Sequence, residues 1–173
     1  GHIHKPSKMG SERPIGYLGS LVGLDPTETG PHGPWLVHVS KGGLTLRQEP
    51  IAPLRWEQIE VALTDDQAQE DVLGWCMGAI EKLHTAISNE GAFPRAVGCR
   101  FSFTGVTDDA PALRQMIDKQ VRNLRYPHEE TLYFIDKVTY DFRQRIDLAQ
   151  IARNTDPPGI LARMLLALEE NND

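Results

Sequence analysis

Alternation of apolar and polar residues becomes regular near residue 55. From Ile59 to Leu63, apolar side chains take every second position, which is typical of a strand with one buried face. The same pattern returns twice and predicts two further strands. Its apolar positions there are Val97, Cys99, Phe101 and Phe103, then Phe134, Val138, Tyr140 and Phe142.

The segments between these strands repeat apolar residues at helical spacing. One stripe covers residues 72–87 and another covers residues 113–124. The resulting order is β-α-β-α-β over about residues 55–143. This order predicts an α+β fold in which the helices lie on one face of a small sheet.

The first third of the chain has a different pattern. Residues 1–33 are rich in Gly, Pro, Ser and His, which predicts a loop with one short strand at Ile15–Leu18. Trp35–Val39 and Leu44–Arg47 flank Gly42-Gly43 and predict a β-hairpin. A start of about 30 loop residues is unusual for an independent domain, so we interpret this part as the edge of something larger.

Composition argues against a membrane-spanning protein and against a disulfide-rich secreted protein. No apolar run approaches the ~20 residues that cross a bilayer, and residues 1–6 lack a signal-peptide pattern, so we expect no membrane partner. Cys76 and Cys99 form no disulfide-scaffold pattern, which favours a reducing cytoplasm. Each lies at a position of the apolar pattern that predicts core residues, so both are predicted to be buried thiols.

Charge is distributed unevenly along the chain. The net charge of −6 argues against a strong nonspecific affinity for nucleic acid. Residues 55–92 carry two basic and eight acidic side chains, whereas residues 93–153 carry ten basic and eight acidic ones. Any DNA-binding surface is therefore expected in the later part. Its candidate residues are Arg100, Lys119, Arg122, Arg125, Lys137, Arg143 and Arg145. The alternative is a solvated face, because Asp118, Asp136 and Asp141 are interleaved with them.

Candidate metal ligands occur at His2 and His4. If this segment is extended, both imidazoles point to the same side and can reach one metal ion or two adjacent ions. Neutral imidazole binds zinc, manganese and iron. The alternative is that Gly1-His2 is a remnant of cloning and His4 a surface residue without a ligand.

The surroundings of these histidines resemble the closing motif of calcineurin-like metallophosphoesterases. Gly1–Pro6 resembles their GHxH turn, and Pro14–Ser20 resembles the strand and Tyr-Pro-Gly-Ser-like turn that follow it, with Leu18 where proline is common. Glu28–Gly33 is similar to the Glu-Thr-Gly-x-x-Gly stretch of bacterial SbcD-like and YhaO-like DNA-repair exonucleases. Pro53–Glu57 resembles the start of their capping domain.

This resemblance implies three parts. Residues 1–53 would hold the closing loop and hairpin of a metallophosphoesterase sandwich, residues 54–146 the capping domain, and residues 147–173 a C-terminal helical segment. It also implies two divalent ions, usually manganese, that activate a water for attack on a phosphodiester, with His2 and His4 as ligands. The family's other ligand motifs, Asp-x-His, Gly-Asp-x-x-Asp and Gly-Asn-His, do not occur in this sequence. We therefore expect this chain alone to be inactive and to bind no metal pair.

A last helix is expected after Asp156, because two prolines suit its first turn. Its apolar stripe comprises Ile160, Leu161, Met164, Leu165 and Leu168. The stripe either completes the core or docks on a partner, and we expect partial exposure because residues 154–158 separate the helix from the sheet. The resemblance implies an SMC-like coiled-coil ATPase as the partner. Self-association into a homodimer is a further expectation for an exposed stripe.

Three functions remain open at this point. The first is a piece of a manganese-dependent DNA-repair exonuclease. The second is a non-catalytic protein-binding module, and the third is a phosphoesterase acting on small phosphoesters, which the long C-terminal extension disfavours. Of the other polar residues, Tyr126–Glu130 is expected to be a surface loop and His84 a structural residue. Trp56 is expected to pack between two domains rather than to stack on a base.

Overall fold

The computed structural model describes residues 3–9, 15–63, 71–145 and 147–170. Two antiparallel strand pairs come first: β1 (Ser7–Met9) with β2 (Ile15–Tyr17), and β3 (Trp35–Ser40) with β4 (Gly43–Gln48). The elements that follow are β5 (Leu54–Leu63), α1 (Val72–Asn89), β6 (Ala96–Thr107), α2 (Ala110–Val121), β7 (Arg125–His128), β8 (Thr131–Gln144), α3 (Leu148–Ile151) and α4 (Pro157–Glu170).

Four strands form one mixed sheet in the order β5-β6-β8-β7. The first three are mutually parallel neighbours, and β7 runs antiparallel to β8. The predicted α+β class is confirmed. The predicted surface loop at Tyr126–Glu130 is wrong, because Arg125–His128 pairs with β8 and only Glu129 and Glu130 form the turn.

The main core lies between one face of this sheet and the helices α1 and α2. Alternate side chains of β5 and β6 enter it with one stripe from each helix, so the predicted placement of the helices on one face is confirmed. Its largest fully buried side chains are Tyr133, Phe101, Phe103, Ile80, Ile87, Ile117, Val72, Val97, Val121, Cys76 and Cys99. Burial raises the pKa of each cysteine thiol to about 12, which agrees with the predicted inert, buried thiols.

A β-bulge in β8 changes which residues face the core. Cys99 pairs with Ile135 but Arg100 pairs with Lys137, so Asp136 is the extra residue. One extra residue exchanges the two faces of a strand. Phe134 therefore lies on the face away from the helices, and the single apolar face predicted for residues 134–142 is wrong at that position.

Residues before β5 contribute little to any core. Within residues 3–7 and 15–53, the buried positions are Gly23, His32, Gly33 and Ala52. Many apolar side chains are exposed instead, among them Ile15, Tyr17, Leu18, Leu21, Leu24, Leu36, Val37 and Val39. The predicted hairpin is present, but Ser40 pairs with Gly43, so Lys41-Gly42 is the turn rather than Gly42-Gly43. A two-stranded hairpin of this kind is marginally stable by itself.

The C-terminal helix α4 begins where the prolines predicted. The Asp156 carboxylate accepts a hydrogen bond from the Gly159 N–H at 3.0 Å, which caps the helix. The helix packs on α3, which the sequence analysis did not predict, and Ala162 is buried there. Arg163 donates to the backbone carbonyls of Ala152 and Asn154 and closes the helix pair. None of the helices in the described ranges is long and apolar enough to span a membrane.

Candidate metal centre around His4

The His4 imidazole is held by a carboxylate from a distant loop. Its Nδ1 lies 2.7 Å from Oε1 of Glu28, and Oε2 of Glu28 accepts the Leu24 N–H at 2.9 Å. The hydrogen bond from Leu24, followed by the one from His4, lowers the pKa of the Glu28 carboxyl. With Nδ1 engaged, Nε2 is the nitrogen of His4 that remains available to a ligand, on a side chain that is 38% exposed.

A close approach of two backbone segments fixes the base of this site. The Ser20 N–H donates to the carbonyl oxygen of His4 at 2.8 Å. Gly19 has a φ of +77°, and a Cβ at that position would lie 2.6 Å from the same oxygen. A glycine is therefore required for this turn to reach His4.

His32 supports the loop from within and is not a free ligand. It is 2% exposed, and its Nδ1 lies 3.2 Å from Oγ and 3.1 Å from the carbonyl oxygen of Ser20. Its Nε2 lies 3.2 Å from the carbonyl oxygen of Glu28. Both ring nitrogens are thus engaged with the segments that carry Ser20 and Glu28, so His32 fixes their spacing.

Trp56 anchors the same loop to the sheet. Its indole N–H donates to the Gly23 carbonyl at 3.1 Å, and its carbonyl accepts the Gly30 N–H at 3.0 Å. The ring lies across Gly98, where a Cβ would come within 2.1 Å of it, and packs edge-on against Phe134. This agrees with the packing role predicted for Trp56.

Of the two predicted metal ligands, His4 lies in the arrangement described above. His2 lies outside the described residues. Glu28 is a candidate site residue that the sequence did not predict. The signal that could have found it is its place in the Glu-Thr-Gly stretch.

The basic candidates for DNA binding fall on two faces. Lys119 and Arg122 lie on the exposed side of α2, which covers one face of the sheet. Arg100, Lys137 and, by strand alternation, Arg143 lie on the open face that no described helix covers. The seven candidates therefore do not form one surface.

Acidic neighbours offset much of this positive charge. Arg122 pairs with Asp118 at 2.8 Å, and Arg100 with Asp136 at 3.3 Å. A cavity of about 310 Å³ on the open face is lined by Glu60 as well as by Arg100 and Lys137. These acidic neighbours support the alternative that the basic residues lie on a solvated face. The DNA-binding role of these residues stays a prediction.

The apolar stripe of α4 is exposed, as expected. The exposed fractions are 49% for Ile160, 58% for Leu161, 61% for Met164, 41% for Leu165 and 62% for Leu168. The prediction of exposure is confirmed. The coiled-coil ATPase and the homodimer stay predictions.

Comparison of the chain with protein-family models, with curated proteins and with solved structures finds no match, and the resemblance to SbcD-like exonucleases accordingly stays a prediction from the motifs.

Proposed function

We propose that this chain is the C-terminal piece of a metal-dependent DNA exonuclease of the SbcD type, in which His4 binds one ion of a two-metal site. One observation carries the proposal. The two separate stretches that resemble this family, the GHIH turn and the Glu-Thr-Gly loop, meet in the 2.7 Å contact between His4 and Glu28. Ligand histidines characteristically donate their second ring N–H to such a carboxylate.

The described residues supply one ligand nitrogen for a divalent ion at this site, Nε2 of His4. Glu28 fixes the ring so that Nδ1 carries the proton and the lone pair of Nε2 points outward. When bound, a pair of divalent ions, with manganese as the expected metal, supplies an activated water and neutralises phosphate charge. His2 would be a second ligand, and the remaining ligands would come from motifs that precede this sequence.

The exposed apolar side chains of the first 53 residues support the same proposal. The strands β2, β3 and β4 carry apolar residues on surfaces that nothing in the described ranges covers. A strand pair that ends a larger sandwich would be covered by the rest of that sandwich. In this proposal the sheet of β5 to β8 is the capping domain that restricts which DNA ends reach the metals.

Cleavage of an end-labelled DNA duplex tests the function. The longer protein that contains this chain should digest the duplex with manganese and lose the activity with a chelator. The chain alone should show no activity, because two imidazoles cannot hold a two-metal site. Manganese-dependent digestion by the purified chain would contradict the proposal that this chain holds only part of the metal ligands.

Glu28→Gln in the longer protein should lower manganese affinity or cleavage rate by roughly 10–100-fold, the usual effect of losing a carboxylate behind a ligand histidine. The amide keeps the size of the side chain but removes the charge that favours a proton on Nδ1. Manganese titration of the cleavage rate measures the effect. Glu169→Gln, on the exposed side of α4, is the matched control and should behave as wild type. Equal manganese dependence of both variants would exclude Glu28 from the site.

The exposed stripe of α4 favours a second candidate, a non-catalytic module that holds a protein partner. The two functions differ in their salt dependence. DNA affinity that falls steeply between 50 and 200 mM salt, as counterion release requires, supports the nuclease. Association that is insensitive to salt and depends on the apolar stripe supports the binding module.

A further inference from the structure

A second group of metal-ligating side chains lies on the helix side of the sheet, away from the GHIH motif. It consists of His84 on α1, His128 at the end of β7, and Glu129 in the turn that follows. One ligand atom from each of the three lies within 4.8 Å of the others. The sequence predicts a structural role for His84 and a surface loop for Tyr126–Glu130, and strand β7 brings these residues together.

His84 has a fixed orientation. Its Nδ1 lies 2.9 Å from the hydroxyl of Tyr133, which is only 1% exposed. The opposite nitrogen, Nε2, points to Glu129, 3.4 Å from its Oε2. A buried hydroxyl at Nδ1 therefore selects the direction in which Nε2 is presented, as outer partners of ligand histidines do.

The turn presents Glu129 at a conformational cost. Its φ is +51°, the only positive value among the non-glycine residues that the structure describes. Gly and Asn adopt this region more readily than Glu. A two-residue hairpin turn such as Glu129-Glu130 requires positive φ, and this turn places Oε2 of Glu129 3.4 Å from Nε2 of His84.

We propose that His84, His128 and Glu129 bind a divalent ion of the zinc class, which ties α1 to the β7–β8 hairpin. Two imidazoles and one carboxylate form a ligand set that zinc and its late first-row neighbours favour over magnesium or calcium. This site is independent of the proposed nuclease centre and of its manganese.

The distances suit such an ion. Ligand bonds of ~2.1 Å in a tetrahedral site place two ligand atoms roughly 3.4 Å apart. The Nε2–Oε2 distance between His84 and Glu129 is 3.4 Å. The rings of His84 and His128 have centroids 4.2 Å apart at an angle of 64°. The three ligand atoms lie within 4.8 Å of one another, so the His128 ring would have to turn toward the other two for all three to reach one ion. The fourth position is left to water.

Zinc titration of the chain against a chromogenic chelator tests this site. Wild type should bind one zinc ion here, and zinc should raise the unfolding midpoint because only the folded chain holds the three ligands together. His128→Ala and Glu129→Gln should each weaken the binding by about 100-fold, since each removes one of three protein ligands. Both change side chains outside the main core, and circular dichroism checks the fold.

A control variant makes the result specific. His38→Ala alters an exposed histidine of β3 and should leave zinc binding unchanged. Zinc held at His4 instead would bind His128→Ala and Glu129→Gln as tightly as wild type, which separates this proposal from the proposed nuclease centre. No saturable zinc binding by the wild type, or unaltered binding by both His128→Ala and Glu129→Gln, would overturn the inference.

Discussion

His4→Ala in the longer protein is expected to abolish phosphodiester cleavage, with a loss of at least ~10³-fold, or about 4 kcal/mol of transition-state stabilisation. A methyl group cannot bind an ion, and the Glu28 side chain would keep its hydrogen bond from the Leu24 N–H. The fold should survive, because His4 is a partly exposed side chain outside the main core. Cleavage of a labelled duplex, beside thermal unfolding of the same preparation, measures both effects.

The control for this experiment is His38→Ala, which removes an exposed imidazole from the neighbouring hairpin. It should cleave at the wild-type rate. A wild-type rate for His4→Ala as well would show that His4 is not a ligand, whatever its contact with Glu28 does for the loop.

If the proposed coiled-coil ATPase docks on α4, Leu161→Glu combined with Leu165→Glu should spare the fold and abolish that binding. Both side chains are exposed, at 58% and 41%, so two carboxylates there meet water and not a core. In an apolar groove of a partner, the same carboxylates would be desolvated without a counter-charge, which is severely unfavourable. A pull-down with the ATPase and thermal unfolding of the variant measure the two properties.

A matched control adds the same charge elsewhere. Gln115→Glu combined with Gln120→Glu changes two exposed positions of α2 and should retain partner binding. Loss of cooperative unfolding in the α4 variant would show that the stripe is core, and the docking interpretation would then fail. Loss of binding in both double variants would indicate a general effect of charge.

The sheet and its helices were predictable because burial on one face imposes a regular spacing. Ile59 to Leu63 and Val97 to Phe103 alternate, since every second side chain enters the core. Strand β7 gave no such signal, because its residues are exposed or half-buried and Pro127 stands within it. The bulge at Asp136 also leaves no recognisable pattern in the sequence, because it depends on the pairing of β8 with β6.

At the candidate metal site, only the pairing of residues close together in the sequence was predictable. The spacing of His2 and His4 suggested a ligand pair, but the partner of His4 is 24 residues away. Their meeting depends on Gly19, on the buried His32 and on the attachment of the loop to Trp56. These are tertiary contacts that no local pattern encodes. The same holds for His84 and His128, which meet only because β7 joins the sheet.

The residues that precede Gly1 in the natural protein test the proposed class most directly. They can be read by fragmenting the intact natural protein in a mass spectrometer. The proposal predicts Asp-x-His, Gly-Asp-x-x-Asp and Gly-Asn-His there, in that order, because those motifs supply the ligands that His2 and His4 need. A natural chain without these three motifs would contradict the assignment of His4 to a two-metal nuclease centre.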